Sequence, residues 1–342
     1  MLSVIKTFSS VLLLLILSTL FVKQAIAQTT PFSTNFGVVS YADTSSEDAF
    51  KDNGFYIIYH DKNGGTTITD STIVCPNVTP GLSGSINGVT YEKISTDTDL
   101  DNLGTNQACT SGVSSMKQWF QDVSNPSVDV SHWDVSAVTV FSNLFEDQGV
   151  FNDDIGAWDV SSGELFFKMF DDASDFNQDL GSWDVSSGTD FSNMFNNADK
   201  FNNKGQPLSW SFNTQSDINM ANMFRNNDVF NADISSWNFE NVNFNSLGFM
   251  SMFNGATAFN QDISGWNVTN ASSFSFMFNG ATAFNQNISG WSNSGSYCFD
   301  NFDTNSGLED SDIPSFITDG CTNEIPTINT NSELSLNQGN ES

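Results

Sequence analysis

Residues 259–291 read FNQDISGWNVTNASSFSFMFNGATAFNQNISGW, so the phrase FNQDISGW returns as FNQNISGW after 25 residues. A catalytic motif is needed once in a chain, whereas a phrase that returns at a fixed spacing is typical of a structural unit that stacks on copies of itself. The repeat therefore predicts an array in which each unit buries its apolar side chains against its neighbours.

Varied forms of the same phrase run through the middle of the chain. They end at tryptophans that are 25, 25, 27, 27, 29 and 25 residues apart, namely Trp133, Trp158, Trp183, Trp210, Trp237, Trp266 and Trp291. In the six clearest units an apolar-Phe pair, most often Met-Phe, precedes the phrase, and its Phe lies six residues before the Phe of FN. Insertions fall between these landmarks, which predicts loops on one face of the array.

This pattern predicts a repeat solenoid of about seven units over residues 116–291, with a short strand and a short helix or 3-10 turn in each unit of roughly 25 residues. In the unit quoted above, Phe259, Ile263 and Trp266 are expected to point inward, and DISGW is expected to be extended. Apolar residues at helical spacing in FSFMF predict the short helix or 3-10 turn. Most of the 32 Phe and 8 Trp side chains are therefore expected in the core.

The phrases W-[DN]-V-S, M-F and F-N-x-D-I-S-x-W resemble the repeats of the BspA-type leucine-rich-repeat surface proteins, in which Phe and Met occupy many of the usual Leu positions. The resemblance covers about half of the chain and implies a leucine-rich-repeat-like solenoid with a role in adhesion at a cell surface. It implies no catalytic residue. The sequence departs from the family pattern at Gly205–Leu208 and Asn243–Gly248, where bulging loops are expected.

The array is flanked by segments of different character. Residues 28–115 predict a small β-rich N-terminal module and cap, with hairpins that turn at DKNGG and at Asn87-Gly88. Residues 292–325 predict a C-terminal cap, and the polar residues 326–342 a flexible tail.

The first 27 residues predict a secretory signal peptide. Lys6 lies near the start, an apolar run follows over Val11–Phe21, and Ala25-Ile26-Ala27 supplies small residues for cleavage. The apolar run is shorter than the ~20 residues that a membrane span needs. The sequence therefore predicts a secreted or cell-surface protein with no transmembrane segment.

The chain is strongly acidic, with 40 Asp and Glu residues against 10 Lys and Arg, a net charge of −30, and no Lys or Arg over residues 226–342. Nucleic-acid binding requires a basic footprint, so this composition excludes it as the main function. Binding to anionic lipid is disfavoured for the same reason.

The four cysteines lie outside the array, as Cys75 and Cys109 before it and Cys298 and Cys321 after it. An even number of cysteines in an exported chain favours disulfides, and the sequential pairing Cys75–Cys109 and Cys298–Cys321 would staple each end of the array. A zinc site formed by all four cysteines is the alternative, although the spacing contains no C-x2-C.

Stacking would align two polar columns. Asp154, Asp179, Asp233 and Asp262 share the position before the inward Ile or Leu, and they are weak candidates for metal ligands, with calcium as the one cofactor left open. The alternative is that each carboxylate accepts backbone N–H groups at its own turn. An Asn follows the landmark Phe in most units, which predicts an Asn ladder. The acidic run around Asp97 lacks the Gly and Glu of an EF-hand, so a helix start or loop is expected there.

These features predict a non-enzymatic recognition or adhesion protein that binds an extracellular protein or glycan through the regular face of the solenoid. Phe166, Phe239 and Phe244 lie at variable positions and are the candidate partner surface. The alternatives are a passive matrix or surface-layer component and a carbohydrate-active enzyme, because a glycosidase needs only two carboxylates. No Ser or Cys nucleophile accompanies the two histidines in a recognisable motif.

Overall fold

The structure is a computed structural model that describes residues 37–41, 54–61, 70–86, 88–100, 102–104, 106–120, 128–212, 217–240, 242–293 and 299–317. The predicted signal peptide, the predicted tail and the Cys298–Cys321 pair lie outside these residues. In the part of the chain that is described, no helix is long and apolar enough to cross a membrane.

Two small sheets form the N-terminal region. Strands β1 (Gly37–Tyr41), β2 (Tyr56–Asp61) and β3 (Asp70–Val74) form an antiparallel sheet in that order. Strands β4 (Ser83–Ile86) and β5 (Val89–Lys93) form the predicted hairpin, and β6 (Gln107–Cys109) pairs with β5 in parallel. A short helix, α1 (Asp97–Leu100), connects β5 to β6.

The N-terminal sheets contact the first repeat directly. Ile73 N donates to His132 O at 2.8 Å, and Thr110 Oγ1 donates to Asp134 O at 3.0 Å. The His132 ring lies edge-on to Tyr91, with ring centroids 5.4 Å apart, and its Nε2 lies 3.1 Å from Ala108 O. The second sheet therefore packs on the first repeat, as the sequence predicted.

Successive repeats are joined by a ladder of backbone hydrogen bonds. In one repeat the N–H groups of Phe141, Asn143, Phe145 and Asp147 donate to carbonyls 24 residues later, at 2.8 to 2.9 Å. The same alternation recurs at each step, and we call the participating segments rungs. They comprise residues 141–148, 166–173, 191–198, 220–227, 249–256, 274–281 and 299–305.

Each rung consists of two consecutive β-turns. Leu144 N bonds to Phe141 O and Gln148 N to Phe145 O, while Asn143 and Asp147, the third residues of these turns, have φ of 59° and 62°. A positive φ at the third position defines a type II turn, which favours Asn or Gly there. This requirement explains why Asn recurs at these positions and why two rungs carry Asn-Gly.

The secondary structure within the units differs from the prediction. DISGW contains no strand and FSFMF no helix, because the turns satisfy the backbone groups locally and leave only every second N–H for the next rung. Parallel pairing occurs instead just before the rungs, as single bridges that link Ser115, Val140, Leu165, Asp190 and Asn219. The leucine-rich-repeat-like character of the array stays a prediction.

Insertions add the remaining elements of the array. A short 3-10 helix spans Asn203–Gly205, and its last residue is the first of the segment where a bulge was expected. Strand β7 (Asp217–Ile218) pairs in parallel with β8 (Asn243–Phe244), which extends the line of bridges across the second insertion.

Aromatic rings stack in columns along the core. The seven predicted tryptophans are near-parallel to their neighbours, within 2° to 7°, with ring centroids 5.8 to 6.5 Å apart. Two columns of Phe rings run beside the Trp column. Within each unit one ring of each Phe column stacks on the other, as Phe145 does on Phe151, with ring centroids 3.8 to 4.1 Å apart. The prediction that the aromatic residues form the core is confirmed, because these rings are buried.

The ladder continues beyond the predicted end of the array. Phe276 N, Phe278 N and Gly280 N donate to carbonyls of residues 300, 302 and 304 at 2.8 to 2.9 Å, so residues 299–305 form a rung inside the predicted C-terminal cap. This rung lacks the FN and Trp landmarks, which is why the sequence did not reveal it. After it, a 3-10 helix (Asp310–Asp312) and Phe316 cover the end of the core.

Candidate functional site

The three aromatic residues predicted as a partner surface are buried. The exposed fractions of Phe166, Phe239 and Phe244 are 0%, 1% and 8%. Phe166 stacks between Phe141 and Phe191 at 5.2 and 5.3 Å, so it belongs to a core column. The prediction was wrong because the position of Phe166 was taken as variable, whereas it is the first residue of a rung and is Phe in all but one of the described rungs.

Phe239 and Phe244 are buried for a related reason. The Phe239 ring lies edge-on to Trp266 at 5.2 Å, and the Phe244 ring lies 4.6 Å from that of Phe249. Phe239 holds the core position that Val160 and Val185 hold in other units, and Phe244 of the insertion also packs into the core, so a partner would not reach either ring.

The aspartates that were weak candidates for a metal column cap their own turns. The Oδ1 atoms of Asp154, Asp179, Asp233 and Asp262 accept the backbone N–H two residues later, at 2.9 to 3.1 Å. Hydrogen bonds from Ser235 lower the pKa of Asp233, and those from Ser264 lower the pKa of Asp262. Among the described residues no group of three or more His, Cys, Asp or Glu side chains could hold a metal ion.

The acidic run near Asp97 forms the start of α1. The Asp99 carboxylate accepts hydrogen bonds from Ser95 N at 2.8 Å and Thr96 N at 3.0 Å, which cap the helix, and the bond from Ser95 is the main cause of its lowered pKa. A carboxylate in this role satisfies free N–H groups at a helix start.

The asparagines form a ladder of a different kind from the one predicted. Each Oδ1 accepts the backbone N–H of the equivalent Asn in the next unit, at 2.7 to 3.2 Å, from Asn152 through Asn177, Asn202, Asn231 and Asn260 to Asn285. The prediction was side-chain to side-chain bonding. The backbone is the partner because the rungs leave this N–H without a partner in its own unit.

The Trp column is also fixed by hydrogen bonds between units. Six indole N–H groups donate to a carbonyl of the preceding unit at 2.6 to 3.1 Å, those of Trp158, Trp183, Trp210, Trp237, Trp266 and Trp291. Trp133 begins the column, and its Nε1 is buried with no hydrogen-bond partner among the described residues. These bonds fix the tilt of each ring, which keeps the core columns regular.

The outer surface of the rungs, which we call the turn-ladder face, varies from unit to unit. The residue before the second positive-φ position is Glu146, Asp171, Asn196, Arg225, Asn254, Asn279 and Thr304 in successive rungs. The Phe that precedes this position is the same in the first six of them. Asp171 and Asn196 are buried at this position, whereas the other five are half-buried or exposed, so a regular core presents a sequence-variable polar surface through those five.

A network of ion pairs occupies the N-terminal half of this face. Lys168 Nζ lies 2.6 Å from Glu146 Oε1 and 3.0 Å from Asp171 Oδ2. Burial disfavours the charged form of Lys168, but the bonds to Glu146 and Asp171 outweigh it and raise its pKa. Burial raises the pKa of Asp171, although hydrogen bonds from Asn196 and Lys168 oppose the shift. The network links three neighbouring rungs.

The opposite edge of each unit is uniformly acidic or polar. Asp134, Asp159 and Asp184 each accept the N–H two residues later, at 3.0 to 3.2 Å, and Asn238 and Asn267 do the same in later units. This Asx-turn edge repeats Asp or Asn in one role, so its sequence varies less than that of the turn-ladder face.

The predicted Cys75–Cys109 disulfide is confirmed, with an S–S distance of 2.01 Å, and it joins the end of β3 to the end of β6. Cys75 and Cys109 lie in a small core with Phe55, Ile57 and Ile73. The bond therefore ties the first sheet to the sheet that packs on the array.

No curated protein and no solved structure matches the chain. One family model, described as a Mycoplasma protein of unknown function, DUF285, matches twice, over residues 92–210 and 206–310. The two matches run from β5 to the 3-10 helix at Asp310–Asp312 and cover more than half of the chain. The chain therefore belongs to this family, Mycoplasma protein of unknown function, DUF285.

Proposed function

We propose that this chain is a secreted or cell-surface recognition protein without enzymatic activity, built as a leucine-rich-repeat-like solenoid of the BspA type. It binds an extracellular protein or glycan through the turn-ladder face. The observation that carries the proposal is the contrast within each rung, where buried columns repeat while the outward residue changes from Glu146 to Arg225 to Thr304. Extended repeat surfaces of this kind suit recognition of large partners.

Two supporting features concern how the surface is held. Backbone bonds between rungs and ring stacks between units fix the side chains in position, so little ordering entropy is lost on binding. The predicted signal peptide and the Cys75–Cys109 disulfide suit an oxidising extracellular setting.

A binding screen with surface variants tests the proposal. The purified chain would be applied to arrays of matrix proteins and glycans. One variant carries D172N and R225N, which replace residues of the turn-ladder face by the Asn found at equivalent positions 197 and 254. The control carries D159N and D184N on the Asx-turn edge, which copy Asn238 and Asn267 of later units.

We expect saturable binding that the turn-ladder variant weakens and the edge variant retains. Loss in the edge variant alone would move the working surface to the acidic edge. An absence of binding would favour a passive matrix component, and glycan turnover abolished by substitution of one carboxylate would show an enzyme.

A further inference from the structure

Three rungs carry a residue other than Asn at the first positive-φ position, namely Lys168, Ser251 and Phe276, and Phe276 is the aromatic one. Phe276 has φ of 59°, at the turn position that is Asn in the rungs of residues 143, 193, 222 and 301. A bulky side chain rarely adopts a positive φ, because its Cβ approaches the neighbouring carbonyl. Backbone strain at such a residue points to a function for the side chain.

The ring of Phe276 does not contribute to the core columns. It is half-buried, whereas the flanking Met277 and Phe278 are fully buried. The other half-buried Phe of the rungs, Phe167, lies under Lys168 Nζ at 5.8 Å. Phe276 makes no ring stack or cation contact with another described residue. Its exposed part is therefore available to a ligand.

Repeat symmetry identifies the neighbours of this ring. The equivalent side chain of Lys168 reaches Glu146 in the preceding rung and Asp171 in its own rung. The residues that correspond to Glu146 and Asp171 beside Phe276 are Asn254 and Asn279, both half-buried. By this equivalence, Asn254 and Asn279 hold the positions next to Phe276, and each carboxamide is able to donate and accept hydrogen bonds.

The rung that carries the ring and the rung before it are flat and uncharged. Gly255 and Gly280 occupy the second positive-φ positions, and a Cβ built on Gly280 would lie 3.6 Å from Gly255, so no side chain rises between the two rungs. Residues 249–256 and 274–281 contain no charged side chain, although the chain has a net charge of −30. These two rungs are neutral, whereas the next rung, residues 299–305, carries Asp300 and Asp303.

We propose that Phe276, Asn254 and Asn279 form a binding site for a neutral saccharide, an inference that rests on the recognition function proposed above. The C–H groups on one face of a sugar ring carry partial positive charge and pack on the negative face of an aromatic ring. The two carboxamides would hydrogen-bond to the hydroxyl groups at the edge of the sugar. A charged peptide would find no ion-pair partner in these two rungs.

Calorimetric titration with cellohexaose, maltohexaose and chitohexaose tests the site. Phe276→Asn restores the residue used in other rungs, and Asn279→Asp places a carboxylate beside the ring while keeping its shape. Phe167→Ser is the matched control, because Ser142 and Ser192 occupy that position in the neighbouring rungs. We expect saturable binding of one saccharide, at least tenfold weaker in both site variants and unchanged in the control.

The outcomes separate the site from the general function. Saccharide binding that survives both site variants would overturn the site and leave the recognition function standing. Binding of matrix proteins without binding of any of the three saccharides would likewise overturn the site and leave the recognition function standing. Failure of the wild-type chain to bind any saccharide or matrix protein would overturn both. If the Phe276→Asn variant did not fold, as judged by circular dichroism, the saccharide affinity of the Asn279→Asp variant would still test the site.

Discussion

At the scale of the residue, backbone conformation explains much of the repeated sequence. The turn position held by Asn143 has a positive φ in every described rung, and the second such position, held by Asp147, is filled elsewhere by Asp, Asn or Gly. Asn, Asp and Gly tolerate this region better than other residues. The repeated Asn residues are therefore explained by the turns before any ligand is considered.

The glycines of the later rungs test this account. Gly280 has φ of 73°, and a Cβ there would meet its nearest atoms at 3.6 Å, an ordinary contact. Gly280→Ala should therefore lower the free energy of unfolding by about 1 kcal/mol through backbone strain alone. Conversely, Ser251 has φ of 54°, so Ser251→Gly should raise the free energy of unfolding by about 0.5 kcal/mol. Urea unfolding would measure both, and two changes of the same sign would contradict the account.

Asp190 provides a prediction about pH. Burial raises the pKa of this carboxyl group, although hydrogen bonds from Ser192 oppose the shift, and Asn219 holds the equivalent position in the next rung. A folded-state pKa above the unfolded value means that the contribution of Asp190 to stability is greatest at acidic pH and is lost as pH rises through the folded pKa.

Asp190→Asn should therefore stabilise the chain at pH 7, and the gain should shrink as pH falls below the carboxyl pKa. Unfolding in urea at pH 7 and pH 3 would measure the difference between wild type and variant. Asp159→Asn is the control, because the Asp159 side chain is exposed and its charge is not buried on folding. A gain that is equal at both pH values would show that charge burial is not the cause.

At the scale of the element, the rung is a pair of turns rather than a strand or a helix. Its turns leave alternate N–H groups directed at the next rung, and its apolar residues form ring columns with the units on both sides. Each rung thus depends on its neighbours for hydrogen bonds and for burial. A substitution in one column should therefore lower the stability of several neighbouring units, as expected for a one-dimensional array.

Phe253 lies at the centre of such a column. Its ring stacks on Phe224, Phe259 and Phe278 at 5.7, 3.9 and 5.7 Å and is fully buried. Phe253→Ala should lower the free energy of unfolding by about 3–5 kcal/mol, as for other buried aromatic residues. Thermal and urea unfolding would measure the loss, with Phe167→Ser as the half-exposed comparison. Stability equal to wild type would contradict the assignment of Phe253 to the core.

At the scale of the whole molecule, one long core connects the second N-terminal sheet to the C-terminal end. This core includes Ile94 and Ala108 from the N-terminal region and Phe302 from the last rung. The first sheet has a separate small core around Phe55 and Ile73, and the Cys75–Cys109 disulfide joins the two regions. The first sheet is therefore the part most dependent on this bond.

Loss of the disulfide should loosen the first sheet before the array. The bonded cysteines are 34 residues apart, and removal of such a bond typically costs about 2–4 kcal/mol. In the double variant C75A/C109A, hydrogen exchange should accelerate over β1–β3 and stay slow in the rungs. Equal acceleration in both regions would show that the array depends on the first sheet.

The sequence alone determined the period of the array and the buried Trp column, and it favoured the Cys75–Cys109 pairing. These follow from local repetition, since a core position must be apolar in every unit and its spacing is visible in the chain. The sequence also allowed carboxylates to cap turns as an alternative to binding metal. Hydrogen bonds at Asp154 and its equivalents support that alternative.

Only the tertiary structure decided which variable residues face outward and how the backbone of each unit is bonded. Phe166 holds a position that is Phe in most rungs and is fully buried, whereas Phe276 holds a position that varies and is half-exposed with a positive φ. Residue spacing in the sequence gives the direction of a side chain only in a strand or a helix, where the backbone geometry is regular. In consecutive turns the sign of φ sets the direction of each side chain, and the N–H groups of the positive-φ residues bond to a rung about 25 residues away.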